Sequence, residues 1–473
     1  MTTSADLVAT GGDPPSAERE RVTVAQGVVL VMVALPAGVA AAWLVAGVGS
    51  DRLLTATTAI MLCLPAGVAL YRLRQSPQGV VPVIVGLGII FFFVPRLLAF
   101  DPGSGLLDKI PMTPDEIDRS KTITQVVLIA FALPIALVFG SVPTPRHQLE
   151  EGDRRQETLR KTLRFRTAIV LGLVGSMVGL SIGLTMGIRS RNFSAVGEST
   201  PLSLLEFCAI TAPAALWLAG HRRLSAVFLV LSMAGPYFTG GRQQVLTPLV
   251  VLLIAVLASR ARRTSGRGRI SVKAVAIVTL IVVVGVGAAI ATTSRRAAVD
   301  NAESGGKPPS LFSSLVLDQT LLDPLLVAVA REPRPQGPEI YGRVLTAPIP
   351  RAVWHDKPFS YDYDFRQRHF PHYEDAIPIS LVGTSFVSLL VPGVVLAGWL
   401  VALLALAAEW LLGRSGQRSI LVAAVLVIFI LDLIRIGGMY RELLTFVGSA
   451  TGAVLITVAA PRLLRPTSTL PRE

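Results

Sequence analysis

The amino-acid sequence predicts an all-α protein, a polytopic membrane bundle of about twelve transmembrane helices with one large extracytoplasmic loop. Hydrophobic residues make up 52% of the 473 residues, charged residues only 16%, and the mean hydropathy is +0.60. This composition excludes an ordinary soluble enzyme and is typical of a chain that lies mostly in lipid. The Lys and Arg residues cluster in short blocks between apolar runs, as they do in loops that stay in the cytoplasm.

The charge and the cysteines argue against two other classes of protein. The net charge is +13, but the basic residues form no single face, so the charge does not indicate nucleic-acid binding. Cys63 and Cys208 both lie in apolar runs, which predicts buried side chains rather than a disulfide framework or a thiolate metal site. Residues 1–21 are polar and predict a disordered cytoplasmic tail, not a cleavable signal peptide.

Transmembrane helices 1–9 are predicted within residues 22–292, from apolar windows mostly of the roughly 17 to 25 residues that cross a bilayer core. The windows are residues 22–47, 53–71, 80–100, 123–142, 167–188, 202–220, 224–237, 245–259 and 274–292. The loop after the fourth window holds seven Lys or Arg residues and is therefore predicted to be cytoplasmic. In the fifth window Gly175, Gly179, Gly183 and Gly187 recur every four residues, which predicts a smooth face for close helix packing.

A long polar segment, residues 293–378, follows and is predicted to be the extracytoplasmic loop. Within it, residues 310–330 are apolar enough for one or two short interfacial helices, interrupted by Asp323 and Pro324. The polar residues of this segment are the main candidates for chemistry, because almost everything else in the chain is apolar helix.

Transmembrane helices 10–12 are predicted within residues 379–461. The windows are residues 379–412, 420–436 and 443–460. The first is too long for one straight crossing, so Pro392 and Gly393 predict a kink or a half-inserted helix before a full one. Twelve crossings, followed by a second tail at residues 462–473, place both termini in the cytoplasm and predict a multi-pass protein of the cytoplasmic (inner) membrane.

Three cations, Arg343, Arg351 and Lys357, lie in the Pro-rich part of the loop, with Trp354 and Tyr341 among them. Arginine matches phosphate oxygens with its planar fork, lysine supplies a compact charge, and proline fixes the backbone that carries them. The group is therefore a candidate anion site with aromatic faces for sugar rings. The alternative is that these charges contact only lipid headgroups at the membrane surface.

The stretch SYDYDFRQRHFPHYEDA offers groups able to take a proton from a hydroxyl near neutral pH. The candidates for a catalytic base are Asp362, Asp364, His369 and His372. Metal binding by the two histidines is disfavoured because the sequence holds no second dense cluster of ligands. A solvated loop surface is the alternative for most of these acids.

Arg242 lies beside two glycines in the tight turn between two short windows, which predicts an arginine at the mouth of a cavity reachable from outside. Arg435 and Arg441 flank the last outward turn and are candidates for the same cavity. Arg96, after Pro95, is a further candidate. The alternative for these residues is an arginine that snorkels at the membrane interface.

Together these motifs resemble the Wzy-like oligosaccharide repeat-unit polymerases, the O-antigen polymerase family. In that family a Gly-Ser-Arg-Gly-like turn opens a transmembrane helix, and an Ile-Pro-Arg, Trp, Lys-Pro pattern marks the large external loop. The matching residues here are Gly241, Arg242, Ile349, Pro350, Arg351, Trp354, Lys357 and Pro358. The resemblance covers roughly the second half of the chain. The chain departs from the family at residues 383–386 and 391–393, where relatives often show Gly-Glu-x-Tyr and Asn-Phe-Gly.

The resemblance implies a GT-C-like membrane glycosyltransferase that polymerises polyprenyl-diphosphate-linked (undecaprenyl diphosphate) oligosaccharide units for polysaccharide biosynthesis in the cell envelope. Donor and acceptor are then both lipid-linked glycans, a chain-length regulator is a further partner, and no cofactor, metal or nucleotide sugar is expected. In this scheme Arg242, Arg351 and Lys357 bind the diphosphate, with Arg343 and Arg441 in support.

Two other functions fit parts of the pattern. A transporter or a lipid-linked glycan flippase also has about twelve spans, but such carriers usually show repeated halves and polar groups at mid-membrane. Repeats are not evident in this sequence. A different lipid-linked sugar transferase is expected to carry a pair of acids in its first outward loop, whereas Asp51 stands there alone, followed by Arg52.

Overall fold

The computed structural model describes eleven stretches of the chain, and every regular element in them is helical. The stretches are residues 50–75, 79–98, 112–141, 154–186, 202–238, 242–261, 321–345, 361–371, 379–413, 417–435 and 440–459, with positions 100, 107, 110, 354, 356 and 377. The predicted all-α class is confirmed for these residues. The predicted windows at residues 22–47 and 274–292, and both predicted tails, lie outside them.

The helices are numbered in the order in which they occur along the chain. They are α1 (Ser50–Gln75), α2 (Val80–Leu98), α3 (Pro114–Ser141), α4 (Arg154–Met186), α5 (Leu202–Ala209), α6 (Ala212–Leu218), α7 (Arg222–Phe238), α8 (Arg242–Ala261), α9 (Leu322–Arg331), α10 (Glu339–Leu345), α11 (Tyr361–His369), α12 (Ser380–Gly413), α13 (Gln417–Arg435) and α14 (Tyr440–Val454), which ends in a π-helical turn (Leu455–Ala459).

Among the described residues, α1, α2, α3, α4 and α12 each contain a segment long and apolar enough to cross a membrane. Shorter apolar helices cover Leu205–Leu218, Val245–Leu257 and Thr445–Thr457. Large apolar side chains such as Leu137, Met177 and Leu403 are exposed on these helices. A soluble protein rarely exposes so much apolar surface, so the bundle is a membrane-embedded one with lipid-facing sides.

Two helices begin well before the predicted windows because polar helix-forming residues extend them. At the start of α3, the Thr113 and Glu116 side chains each accept a hydrogen bond from the other residue's backbone N–H, at 3.3 and 2.9 Å. This capping box, with Pro114 at the first helical position, starts the helix ahead of its apolar part. In α4, the stretch RRQETLRKTLR consists mostly of good helix formers and continues the helix into the predicted basic loop.

The predicted groove of glycines in α4 is a packing surface. A Cβ atom on Gly175 would lie 2.3 Å from the backbone oxygen of Leu205 in α5. A Cβ atom on Gly235 in α7 would lie 2.5 Å from the backbone of Gly179. Close backbone approach at two of the four glycines confirms the predicted role in helix packing. Gly187 lies outside the described residues.

The long helix α12 is broken near its first third, as the sequence predicted. Leu389 and Leu390 have non-helical backbone angles, and Leu390 has a φ of 57°. Pro392 follows, so one intrahelical hydrogen bond cannot form. Residues 380–388 before the break are all buried, and the remainder is long enough for a full crossing.

Backbone groups from the loop after α9 replace the hydrogen bonds that the break in α12 removes. The Gln336 N–H donates to the Val387 oxygen at 2.9 Å, and the Gly337 N–H donates to the Ser388 oxygen at 3.1 Å. In return, the Ser388 hydroxyl donates to the Gly337 oxygen at 2.7 Å. Gly337 has a φ of 87°, which favours glycine at this turn. The break is therefore part of the docking surface for the polar segment.

The helices α9, α10 and α11 lie at one end of the bundle, which we name the loop-side end. Asp323 and Pro324, where the sequence predicted an interruption, lie in the first turn of α9, where a missing N–H costs no hydrogen bond. The residues before Leu321 in this stretch lie outside the described residues, so the predicted helix ahead of the interruption stays a prediction. Residues 322–329 are buried, and α9 packs on α2, α3 and α12. Part of the predicted loop is thus built into the bundle.

Candidate functional site

A buried ion pair fixes the polar segment to the bundle. The Arg96 guanidinium donates from Nε to Oδ1 of Asp323 at 2.9 Å and from Nη2 to Oδ2 at 3.1 Å. The two side chains are 1% and 7% exposed. A bidentate pair is the geometry in which a buried arginine and carboxylate satisfy each other. Arg96 therefore joins α2 to α9, and this contact occupies the guanidinium that the sequence offered for a cavity.

A second polar cluster, the Glu332 network, lies where α9 ends and α11 ends. The Oε1 atom of Glu332 forms an ion pair with Nη1 of Arg368 at 2.6 Å and accepts a hydrogen bond from Nε2 of His369 at 2.9 Å. Its Oε2 atom accepts one from Gln336 at 2.5 Å, and Gln336 also donates to the Tyr361 hydroxyl at 3.4 Å. The Glu332 side chain is 10% exposed and that of His369 is 16% exposed. A nearly buried carboxylate thus has donors on both oxygens.

One face of α11 presents this network. Tyr361, Phe365, Arg368 and His369 are spaced so that they lie on the same side of a helix. Phe365 is fully buried, and its ring lies 4.7 Å from the His369 ring. Burial raises the pKa of Tyr361 above its usual range, and the nearby charge of Glu332 raises it further. Tyr361 is therefore a neutral phenol at physiological pH. The buried Phe365 ring beside the His369 imidazole restricts the movement of that imidazole.

The short helix α10 links two of the predicted groups. Nη1 of Arg343 forms an ion pair with Oδ2 of Asp364 on α11, and about a third of each side chain is exposed. On the same helix, the Tyr341 hydroxyl lies 2.6 Å from the Ser385 hydroxyl of α12. Burial raises the pKa of Tyr341, and this hydrogen bond partly offsets the increase. The helix α10 thereby connects α11 to the buried half of α12.

The four predicted bases occupy different environments. Asp362 is buried, and its Oδ1 atom accepts a long hydrogen bond of 3.4 Å from the Ile379 N–H. Asp364 is ion-paired with Arg343, so its carboxylate is already engaged by a cation. His369 is held by Glu332 at one ring nitrogen, which leaves the other nitrogen as a proton acceptor. His372 lies outside the described residues.

A narrow cleft, the Asp432 cleft, lies between α8, α13 and α14. Its lining residues are Thr247, Val251, Val425, Ile428, Phe429, Asp432, Thr445, Phe446 and Ser449. Asp432 is 7% exposed and is the one polar residue in the stretch 420–434 of α13. Ionisable residues inside membrane helices usually mark a functional position. Two of the helices that form the cleft begin at predicted arginines. Arg242 is the first residue of α8, and Arg441 is the second residue of α14.

The structure describes only part of the predicted anion site. Arg351 and Lys357 lie outside the described residues, and so do the side chains of Arg242 and Arg441. Trp354 is described and its side chain is exposed, whereas the residues before and after it in the chain lie outside the described residues. Among the cations predicted to bind the diphosphate, which are Arg242, Arg343, Arg351, Lys357 and Arg441, Arg343 is therefore the one whose side-chain contact is described.

Sequence reasoning missed Glu332, Gln336 and Arg368 in the loop-side network, and Asp432 in the cleft. A signal for Arg368 was present, because it shares a helix face with the apolar Tyr361 and Phe365. Asp432 could have been found as the one carboxylate in the run ILVAAVLVIFILDLIR. Glu332 had no local signal, since it stands between a short apolar helix and a Pro-rich turn.

The described residues contain no group of three or more His, Cys, Asp or Glu side chains placed to hold a metal ion. Comparison of the chain with protein-family models, with curated proteins and with solved structures finds no match in any of the three.

Proposed function

We propose that the protein is a GT-C-like membrane glycosyltransferase that polymerises polyprenyl-diphosphate-linked oligosaccharide units at the loop-side end of a bundle of about twelve helices. The charge bias of the loops supports an inner-membrane location, with both termini in the cytoplasm and the loop-side end outside. The Ile-Pro-Arg, Trp, Lys-Pro residues that resemble the Wzy-like family belong to the segment that forms this end.

The observation that carries the proposal is the way the polar segment is assembled on the bundle. Its helices are docked by the buried Arg96–Asp323 pair and by the backbone bonds at the break of α12. They bring a predicted cation, Arg343, and a predicted base, His369, onto neighbouring short helices. A rigid platform at the membrane surface suits a reaction between two lipid-linked substrates, because catalysis depends on fixed orientation.

The proposed reaction is one displacement at the anomeric carbon of the donor sugar. A hydroxyl oxygen of the acceptor glycan forms a bond to that carbon, and the bond from the carbon to the phosphate oxygen breaks. The hydroxyl proton passes to the base, for which His369 is the best-supported candidate. The polyprenyl diphosphate leaves with the bonding electron pair, and Arg242, Arg351 and Lys357 balance its charge, with Arg343 and Arg441 in support.

The test is chain lengthening by the purified full-length protein in proteoliposomes that contain a lipid-diphosphate oligosaccharide. We expect longer lipid-linked products from the wild type and about a 100- to 10,000-fold lower rate from His369→Asn, as for the loss of a general base. Arg351→Ala is expected to lose activity as well. Arg334→Ala, an exposed charge in the same segment, is the matched control and should keep wild-type activity. A folded wild type that produces no lengthened glycan refutes the proposal.

A carrier or flippase is the second candidate, and two observations favour it. The helix α12 is broken, and Asp432 lines a cleft between helices; both features occur in secondary transporters. The freed carbonyls at the break are bonded to Gln336 and Gly337, however, and this supports a docking role for the break. Counter-transport of a soluble substrate, with no change in glycan length, would favour the carrier.

A further inference from the structure

We infer that Glu332 is the positioning residue for His369: it holds the imidazole with its proton on Nε2 and thereby makes Nδ1 the nitrogen that accepts the acceptor's hydroxyl proton. This inference rests on the proposed glycosyl transfer for the identity of the proton donor. The orientation of the ring itself rests on the Glu332 contacts alone.

The geometry leaves His369 little freedom to turn. Its Nε2 atom lies 2.9 Å from Oε1 of Glu332, and its ring lies 4.7 Å from the buried ring of Phe365. Because an ionised carboxylate only accepts hydrogen bonds, the contact requires the proton on Nε2. A carboxylate that fixes the tautomer of a histidine is the arrangement used in hydrolytic triads.

Glu332 is itself held on both oxygens, so it can act as a fixed reference for the ring. Arg368 forms an ion pair with the oxygen that contacts His369, at 2.6 Å, and Gln336 donates to the other oxygen at 2.5 Å. Gln336 is in turn fixed by its backbone bond to Val387 of α12. The orientation of His369 therefore depends on the broken helix, through the side chains of Glu332 and Gln336 and one backbone hydrogen bond to Val387.

The competing explanation is that Glu332 only joins the end of α9 to the end of α11. In that case its loss lowers stability and lowers activity through misfolding, whatever residue stands at 369. A role through the imidazole makes a different prediction, because removing Glu332 can matter only while the imidazole is present.

The first experiment is a double-mutant cycle on the lengthening rate in proteoliposomes. Glu332→Gln is expected to lower kcat about 10- to 100-fold, as losses of orienting partners do, with the KM for the lipid-linked glycan unchanged. In the His369→Asn background, Glu332→Gln should have no further effect. Glu332→Asp should recover part of kcat, and the exposed Glu339→Gln is the matched control. An equal loss from Glu332→Gln in both backgrounds would overturn the inference.

The second experiment needs no activity. In protein with ¹⁵N-labelled histidine, His369 is one of five histidines and is identified by the signal lost in His369→Asn. The wild type should show this ring protonated at Nε2, whereas Glu332→Ala should show a mixture of tautomers. An unchanged tautomer in Glu332→Ala overturns the inference even if glycan lengthening is demonstrated. A glycan assay that fails while the tautomer changes would refute the proposed reaction and leave the orientation of His369 standing.

Discussion

Arg96 is among the most deeply buried large side chains described, although removing an unpaired charge from water is very costly. Its bidentate contact with Asp323 offsets that cost and ties residues that lie 227 positions apart in the chain. Two further contacts, Arg343 with Asp364 and His369 with Glu332, extend the same principle to the more exposed part of the loop-side end. At this scale the polar segment is organised by carboxylates that each hold a nearby cation or imidazole.

The buried pair makes a prediction about stability. We expect Arg96→Met and Asp323→Leu each to destabilise the folded protein by about 3–5 kcal/mol, because either change leaves one charge buried without its partner. The double variant should lie closer to the wild type than either single variant. Thermal unfolding in detergent compares the stability of each variant with that of the wild type, and the exposed Asp118→Asn is the control. Single variants as stable as the wild type would show that the pair does not hold α9.

The helix α12 combines two structural roles in one element. Its first part is buried among α9, α10 and the rest of the bundle, and its second part presents apolar residues such as Leu396 and Leu403 on its surface. At its far end, the Glu409 side chain accepts hydrogen bonds from the Gly79 and Val81 N–H groups at the start of α2, at 2.7 and 2.9 Å. The helix therefore connects the loop-side end to the opposite end, antiparallel to α2.

An alanine substitution at Gly393, compared with one at Gly342 in α10, tests whether the break in α12 has room for a methyl group. A Cβ atom on Gly393 would lie 2.3 Å from the Ser385 oxygen, and backbone cannot move aside as a flexible side chain can. We expect Gly393→Ala to destabilise the protein by about 1–3 kcal/mol, as overpacking does. Gly342 in α10 has nothing within 4 Å of such an atom, so Gly342→Ala should stabilise by about 0.5–1 kcal/mol. Thermal unfolding monitored by circular dichroism compares the two, and a neutral Gly393→Ala would mean that the break can relax.

In the described part of the chain, the short helices α9, α10 and α11 lie together at one end of an apolar bundle. Residues of α9, α10 and α11 share one buried apolar cluster with the start of α12. The lipid-facing sides consist of exposed Leu, Val, Met and Phe residues on the long helices. The proposed transfer between lipid-linked substrates would take place where these two surfaces meet.

The orientation of the loop-side end is testable by cysteine labelling, since both native cysteines are buried. We expect Arg334→Cys, on the exposed loop after α9, to react with a membrane-impermeant maleimide on intact cells. Ser468→Cys, in the predicted cytoplasmic tail, should react only after the membrane is permeabilised. The reverse pattern would invert the predicted topology and exclude an outward-facing site.

The sequence by itself determined the helical class, most of the apolar windows, the break near Pro392 and the packing role of the glycines in α4. These features follow from local composition and from periodicities of a few residues, which act before any tertiary contact forms. It also singled out His369 and Arg343, because titratable and cationic groups are conspicuous in an apolar chain.

Only the tertiary structure decided which of these groups meet. Glu332 lies 37 residues from His369, and Asp323 lies 227 residues from Arg96, so no local pattern could pair them. The position of Asp323 in the first turn of α9 has the same origin, because its buried partner on α2 fixes where that carboxylate must lie. Charges inside a low-dielectric bundle are satisfied by whichever partner the packing brings within hydrogen-bond distance, and packing is a property of the whole chain.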